Sequence, residues 1–296
     1  MPELPEVETV RRGLAQAMAG QRIVGLEVRR DGLRFPFPPD FRQRLQGATL
    51  ERFERRAKYI LAYTDRRDAL LIHLGMSGRF TILPPTGPAE GPATFYYNQA
   101  QAQGSGAHDH VVFDLEDGTR VIYSDPRRFG LMDITPAEQA REHRLLRGIG
   151  VEPLGDDFTP SYLAERFRDK KAPLKAALLD QRIVAGLGNI YVCEALFRSG
   201  LSPERAAGSI VRSKGASPQV RALVANIRTV LEDAIAAGGS TLRDYVQVNG
   251  ELGYFQHQFD VYDREGKPCP RPGCKGAVER IVQSGRSTFF CRTCQK

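Results

Sequence analysis

Leu4, Val7, Val10 and Leu14 recur at intervals of three and four residues, and Gly20 closes the run, so the pattern predicts an N-terminal helix with one apolar face. The period then changes. Short runs at Ile23, Leu26 and Val28, at Lys58 to Tyr63 and at Ala69 to Leu74 carry strand-like content. Val111, Phe113 and Leu115, then Asp117-Gly118, then Val121 and Tyr123 read as a hairpin turning at Asp-Gly. Residues 1–135 are therefore expected to form a helix plus a β-sandwich or barrel-like unit. Pro84 to Ala107, rich in Pro, Gly, Ala and Gln, interrupts it and reads as a long mobile loop containing Tyr96 and Tyr97.

Beyond Thr135 the pattern turns helical. Helices expected at Ala172 to Leu179 and from Asn189 to Gly200 flank the turn Gln181 to Gly188, with Asn189 placed to cap the second. Ser217-Pro218 opens a longer helix striped by Val220, Leu223, Val224, Ile227, Leu231 and Ile235, and Gly238-Gly239 stops it. Cys193 shares a face with Ile190, Leu196 and Phe197 and reads as a buried apolar side chain.

The charge narrows the partners. With 42 Lys and Arg against 35 Asp and Glu, the net charge is +7, a balance that suits a polyanion but also many ordinary proteins. No apolar run is long enough to span a membrane and no secretory signal is visible, so a cytoplasmic protein is expected. Four of the five cysteines fall in the tail as two close pairs, a pattern of metal binding rather than of a disulfide framework.

That tail is the most specific local signal. Four residues separate Cys269 from Cys274 and two separate Cys291 from Cys294, with enough chain between the pairs for a β-hairpin. Two thiolate knuckles on a hairpin close the tetrahedral four-sulfur site that structural zinc prefers. So short a tail has too little core to fold alone, and one zinc ion would supply the folding free energy. The opposite terminus carries different chemistry. Met1-Pro2-Glu3-Leu4-Pro5-Glu6 is expected to lose Met1, leaving the secondary amine of Pro2. An α-amine titrates near ~8, so part of it is neutral and nucleophilic at neutral pH. Attack on an aldehyde would leave a cationic iminium, an electron sink, with Glu3 and Glu6 as neighbouring acid and base candidates. Read alone, Pro-Glu is also ordinary helix-entry chemistry.

Two further segments lie in turn chemistry after expected strands, Gly75-Met76-Ser77-Gly78 and Asp125-Pro126-Arg127-Arg128-Phe129-Gly130. A thioether, a guanidinium and a ring on loop tips can enter a base stack, although a lone Met or Phe is more often core. Gly186-Leu187-Gly188-Asn189 opens a helix whose free N–H groups suit a phosphate, or is a plain helix corner.

Taken together, Met1 to Thr9, His73 to Gly78, Asp125 to Gly130, Gly186 to Tyr191 and Arg292 to Lys296 closely resemble the segments of bacterial formamidopyrimidine-DNA glycosylase, in family order from end to end. The resemblance implies an α+β multidomain protein. Its parts are an N-terminal β-sandwich with an N-terminal helix (1–135), a linker (136–152), a helix–two-turn–helix domain (153–260) and a β-hairpin zinc finger (261–296). It implies Pro2 as nucleophile on C1′, Glu3 as acid/base and Lys58 on the lesion phosphate. Met76, Arg127 and Phe129 would fill the gap left by the flipped nucleotide. Asn189, Arg286 and His110 would touch phosphates, and Glu6, Arg243 and Tyr262 would stand near the base pocket. The implied partner is damaged duplex DNA, met by a monomeric, nucleoid-associated bacterial enzyme without a small-molecule cofactor. Three departures stand out: the wide Cys269–Cys274 knuckle, the long Pro84–Ala107 insertion, and Arg243 where many relatives have lysine. Two other readings compete, an endonuclease VIII-type enzyme for oxidised pyrimidines and a zinc-containing DNA-binding protein without catalysis.

Overall fold

A computed structural model describes residues 2–85, 106–211, 216–240 and 254–296. The chain divides into two compact units, Met1–Arg147 with Ala237–Tyr254, and Gly148–Ala236 with Phe255–Lys296.

The first unit starts with α1 (Leu4–Met18), whose N-cap is the extended Glu3 and whose first turn holds Pro5. The expected stripe of Leu4, Val7, Val10 and Leu14 is buried. Gly20, at φ +80°, turns the chain away. Eight strands follow, β1 (Ile23–Val28), β2 (Leu50–Arg56), β3 (Tyr59–Thr64), β4 (Asp68–His73), β5 (Arg79–Leu83), β6 (Asp109–Leu115), β7 (Arg120–Ser124) and β8 (Leu131–Pro136), with a short α2 (Phe41–Leu45) after β1. They form two antiparallel sheets, β1-β6-β7-β5 and β2-β3-β4-β8. The sandwich core takes Leu26, Val111, Phe113 and Tyr123 from one sheet, Phe53, Ile60, Leu70 and Ile72 from the other, and Val10 and Leu14 from α1. β3 and β4 are buried along nearly their whole length, as strands covered on both faces are. The Asp117-Gly118 turn joins β6 to β7 as expected, with Gly118 at φ +88°.

The second unit holds α3 (Pro160–Phe167), α4 (Leu174–Leu179), α5 (Asn189–Arg198), α6 (Pro218–Ala236) and a hairpin of β9 (Glu279–Gln283) and β10 (Arg286–Phe290). α4 begins after the expected Ala172 because Pro173, which has no N–H to give a helix interior, takes the N-cap place. The cap of α5 also differs from expectation. Extended Gly188 is the N-cap and Asn189 is the first helical residue, so the Asn189 side chain is released to reach across the unit. α6 begins as read, with Ser217 Oγ accepting the Val220 N–H at 3.1 Å. Gly238 and Gly239, at φ +74° and +81°, end it. Cys193 is buried on α5 against Phe197 and Val261. No helix among the described residues is long and apolar enough to cross a membrane. Arg243, Tyr96, Tyr97 and most of the Pro84–Ala107 insertion lie outside the described residues.

Candidate active site and metal centre

The N-terminal chemistry is sequestered. Pro2 is buried, and Glu3 and Glu6 are 4% and 2% exposed. The start of α1 explains how two carboxylates tolerate this, because free N–H groups and the helix dipole favour negative charge there. Glu6 Oε2 accepts the Glu3 N–H at 2.8 Å. Glu6 Oε1 accepts the Ser240 N–H at 2.9 Å and its hydroxyl at 3.0 Å. The approach requires Gly239, at φ +81°, where an added Cβ would lie 3.1 Å from Glu6 Oε1. Glu6 thus ties the start of α1 to the chain that leads into residue 241.

Lys58 sits in the tight turn between β2 and β3, against which α1 packs. It is 7% exposed and follows Ala57, a non-glycine residue at φ +53°. Its charge is felt by His73 on β4. Burial first, then Lys58 and Arg34, push the His73 pKa down to about 4. The ring is therefore neutral at physiological pH, and its Nδ1 accepts the Gly75 N–H at 3.0 Å.

Gly75 opens the loop that carries Met76. A Cβ here would lie 2.3 Å from the Phe129 carbonyl carbon, so glycine permits this loop to meet the Asp125–Gly130 loop. Asp125, fully buried, holds the two together. Its Oδ1 accepts the Ser77 hydroxyl at 2.6 Å and its Oδ2 the Gly130 N–H at 2.8 Å, while Ser77 Oγ accepts the Arg127 N–H at 3.1 Å. On this base Met76 is half-buried and Arg127 and Phe129 are exposed, Phe129 at 46%, with the Arg127 guanidinium 5.0 Å from the Phe129 ring centre. An exposed ring and the guanidinium beside it are a pair that can enter a base stack. His110, expected on a phosphate, packs against the same loop. It is 1% exposed, and its Nε2 lies 2.9 Å from the Asp125 carbonyl oxygen, so here the ring braces this loop from beneath.

In the second unit Asn189 Nδ2 donates to the Ser287 carbonyl at 3.0 Å and lies 3.4 Å from the Tyr262 hydroxyl. Its Oδ1 is buried with no hydrogen-bond partner among the described residues. Arg286 opens β10 beside Ser287 and is exposed. Two participants escaped the sequence reading. Lys175, 1% exposed, donates to the Ser287 carbonyl at 2.9 Å and to Thr288 Oγ1 at 2.5 Å. Glu194, fully buried, accepts the N–H groups of Asp260, Val261 and Tyr262 at 2.8–3.0 Å and so sets the Tyr262 backbone. Burial raises its pKa, against the pull of those three donors. The available signal was a charged residue inside otherwise apolar helical stretches, Leu174 to Leu179 and Ile190 to Phe197.

The four tail cysteines converge. All four Sγ atoms lie within 4.8 Å of one another, with Cys269–Cys294 and Cys274–Cys291 at 3.7 Å. Four sulfurs at ~2.3 Å from one zinc in a tetrahedron stand about 3.8 Å apart, so the set is close to the spacing one zinc needs. The wide knuckle also gains an explanation. Its extra residues carry Arg271, whose guanidinium lies 5.1 Å from the Phe197 ring centre and donates to the Phe197 carbonyl at the end of α5. A cation at the C-terminal end of a helix is favourable.

Family models cover nearly the whole chain: the formamidopyrimidine-DNA glycosylase N-terminal domain over residues 1–132, its H2TH domain over 149–246, and a zinc finger found in FPG and IleRS over 266–296. A formamidopyrimidine-DNA glycosylase of Rhizobium etli is 56% identical over 300 residues, covering 100% of both chains, and one of Ruegeria pomeroyi is 56% identical over 296. Among solved structures, the MutM (Fpg) protein of Thermus thermophilus matches with a TM-score of 0.81 at 38% identity, over 99% of this chain and 98% of that one. A Lactococcus lactis Fpg mutant bound to Fapy-dG-containing DNA matches with a TM-score of 0.82 at 32% identity over the full length of both. Sandwich, helical segment, four-cysteine finger and likeness agree: this chain belongs to the formamidopyrimidine-DNA glycosylase family.

Proposed function

We infer that this protein is a base-excision repair enzyme that removes oxidised purines, 8-oxoguanine and formamidopyrimidines, from duplex DNA and then cuts the abasic site. It is both a DNA glycosylase and a lyase. The observation that carries this reading is the pairing, in a chain of this family, of a proline at position 2 with Glu3 on the buried start of α1. A protein that only bound DNA would need neither.

The residue roles follow from chemistry. C1′ is shielded while the base is stacked, so the nucleotide leaves the duplex at a cost of a few kcal/mol. Met76, Arg127 and Phe129 fill the vacated space, and the latter two probe the opposite base. Asn189 and Arg286 hold phosphates, and Lys58 holds the phosphate of the lesion. The Pro2 nitrogen attacks C1′ and the base leaves, with Glu3 handling the proton at the sugar ring oxygen. The opened sugar remains as an iminium on Pro2. That cation acidifies C2′, so the 3′ phosphate is expelled, and a second elimination releases the 5′ phosphate. Glu6 acts on this machinery through Ser240, next to the segment containing Arg243 that we place, with Tyr262, around the expelled base. The four cysteines hold one zinc that supplies folding free energy to the finger. The division of labour follows the boundaries read from the sequence, catalytic over 1–135, DNA-gripping over 153–260 and finger over 261–296. We further propose that the enzyme acts as a monomer on the bacterial chromosome.

Release of base from an 8-oxoguanine duplex compared with a thymine glycol duplex tests the reading. The purine duplex is expected to be the better substrate. A Lactococcus lactis relative has been solved with oxidised-pyrimidine DNA, so some thymine glycol release is compatible. Release from thymine glycol alone would assign the endonuclease VIII-type activity instead.

A further inference from the structure

Between β1 and the loop that carries Phe129 lies a cleft of about 550 Å³ that the functions above leave unused. Its wall holds four arginines, Arg29, Arg30, Arg34 and Arg128, and one acid, Asp31. Arg29 is satisfied by Glu27 at 3.0 Å and by Asp109 at 3.7 Å. Arg30, Arg34 and Arg128 have no carboxylate within ion-pair distance among the described residues, and all three are exposed.

Arg30 and Arg34 flank or stand on one closed loop, and Arg128 comes from the loop that carries Phe129. Gly32 pairs with Pro36 as an isolated bridge, the Leu33 N–H donates to the Phe35 carbonyl at 3.0 Å, and the Phe37 N–H donates to the Asp31 carbonyl at 2.9 Å. A Cβ at Gly32 would lie 2.5 Å from the Phe35 carbonyl oxygen, so the closure depends on glycine. Three guanidiniums that line one cleft with Asp31 as the single acid there leave a net positive charge, which an anion with several oxygens neutralises through forked hydrogen bonds.

We propose that this cleft is a phosphate-binding site and that its occupant is a backbone phosphate of the duplex. The inference rests on the DNA-repair reading above. Two observations favour a DNA phosphate. First, the Arg34 N–H donates to the Gly130 carbonyl at 3.0 Å, so the cleft is built onto the same loop as Arg127 and Phe129. Second, Phe35, 39% exposed, stands beside the guanidiniums with Arg34 5.5 Å from its ring centre, which gives a nucleotide an apolar surface next to its phosphate. The cleft would hold the backbone where the duplex is opened by the inserted side chains.

The test uses the full-length protein and an undamaged duplex, so it is read independently of catalysis. The Arg30→Gln/Arg34→Gln variant is expected to bind about tenfold more weakly at moderate salt. Its plot of log affinity against log salt should be shallower by about 0.9, the counterion release of one phosphate. Arg30→Lys/Arg34→Lys keeps the charge and should keep the slope. Replacing duplex phosphates one at a time by methylphosphonate should reveal one position that weakens the wild type and leaves the glutamine variant unchanged. Titration with inorganic phosphate alone separates the sources. Lost phosphate binding with an unchanged salt slope would overturn the DNA occupant and assign free phosphate. An unchanged slope together with unchanged phosphate binding would overturn the site altogether. Failure of the wild type to release any oxidised base, with the slope change present, would remove the repair reading and keep the site.

Discussion

Ser77 donates its hydroxyl to Asp125 Oδ1 at 2.6 Å, a bond across 48 residues of sequence that locks the Met76 loop to the Phe129 loop. Neither residue needs to touch DNA to matter. The base-stack insertion proposed for Met76, Arg127 and Phe129 requires fixed mutual positions, and loops alone do not fix them. Removing the hydroxyl by Ser77→Ala leaves a buried carboxylate short of a donor and costs about 1–3 kcal/mol. Urea unfolding should report that loss. Excision on an 8-oxoguanine duplex should fall further than the stability change explains, because the wedge loosens while the protein stays folded. Normal excision in a destabilised variant would separate the lock from function.

The acid side of the stability profile is set in part by His73, which is half-buried, feels the Lys58 and Arg34 charges and lies 4.8 Å from the Tyr59 ring centre. Its folded pKa of about 4 lies below its unfolded value near 6.5. The unfolded chain therefore binds the proton first, and stability is lost as pH falls from about 6.5 to about 4, with no further loss from this group below that. His73→Gln should flatten that part of the curve of unfolding free energy against pH. An unchanged curve would show that His73 is not the titrating group.

Zinc and the helical segment are joined through Arg271 and the Phe197 carbonyl. Chelation should release one zinc per chain and lower protection from hydrogen exchange in the finger and at the end of α5 together. Arg271→Ala should keep the zinc, because all four sulfurs remain, yet lower protection at Phe197 to Gly200 by about 1 kcal/mol. Loss of zinc from that variant would place Arg271 in the metal site rather than on the helix.

Much of this was legible because the local signals were strong. The stripe Leu4, Val7, Val10, Leu14, the Asp117-Gly118 turn and the Ser217-Pro218 helix start each carry a single physical reading, and each forms as read. β2 was not legible. Its sequence, Leu50-Glu51-Arg52-Phe53-Glu54-Arg55-Arg56, buries only Leu50 and Phe53 outright, and tertiary pairing with β3 makes it a strand. Lys175 and Glu194 were hidden for a related reason. Their partners lie more than sixty residues away, at 260–262 and 287–288, and no local spacing announces such a contact. Glycine at 188 took the cap from Asn189 because an extended backbone needed no side chain there, a choice invisible in residue type alone.

The central claim is that Pro2 is the nucleophile, and borohydride trapping on a duplex with 8-oxoguanine opposite cytosine tests it directly. Reduction of the iminium should leave a covalent protein–DNA adduct, and peptide mapping should place it on the N-terminal peptide at Pro2. An adduct on a lysine, or tight binding with neither adduct nor strand cut, would contradict the account.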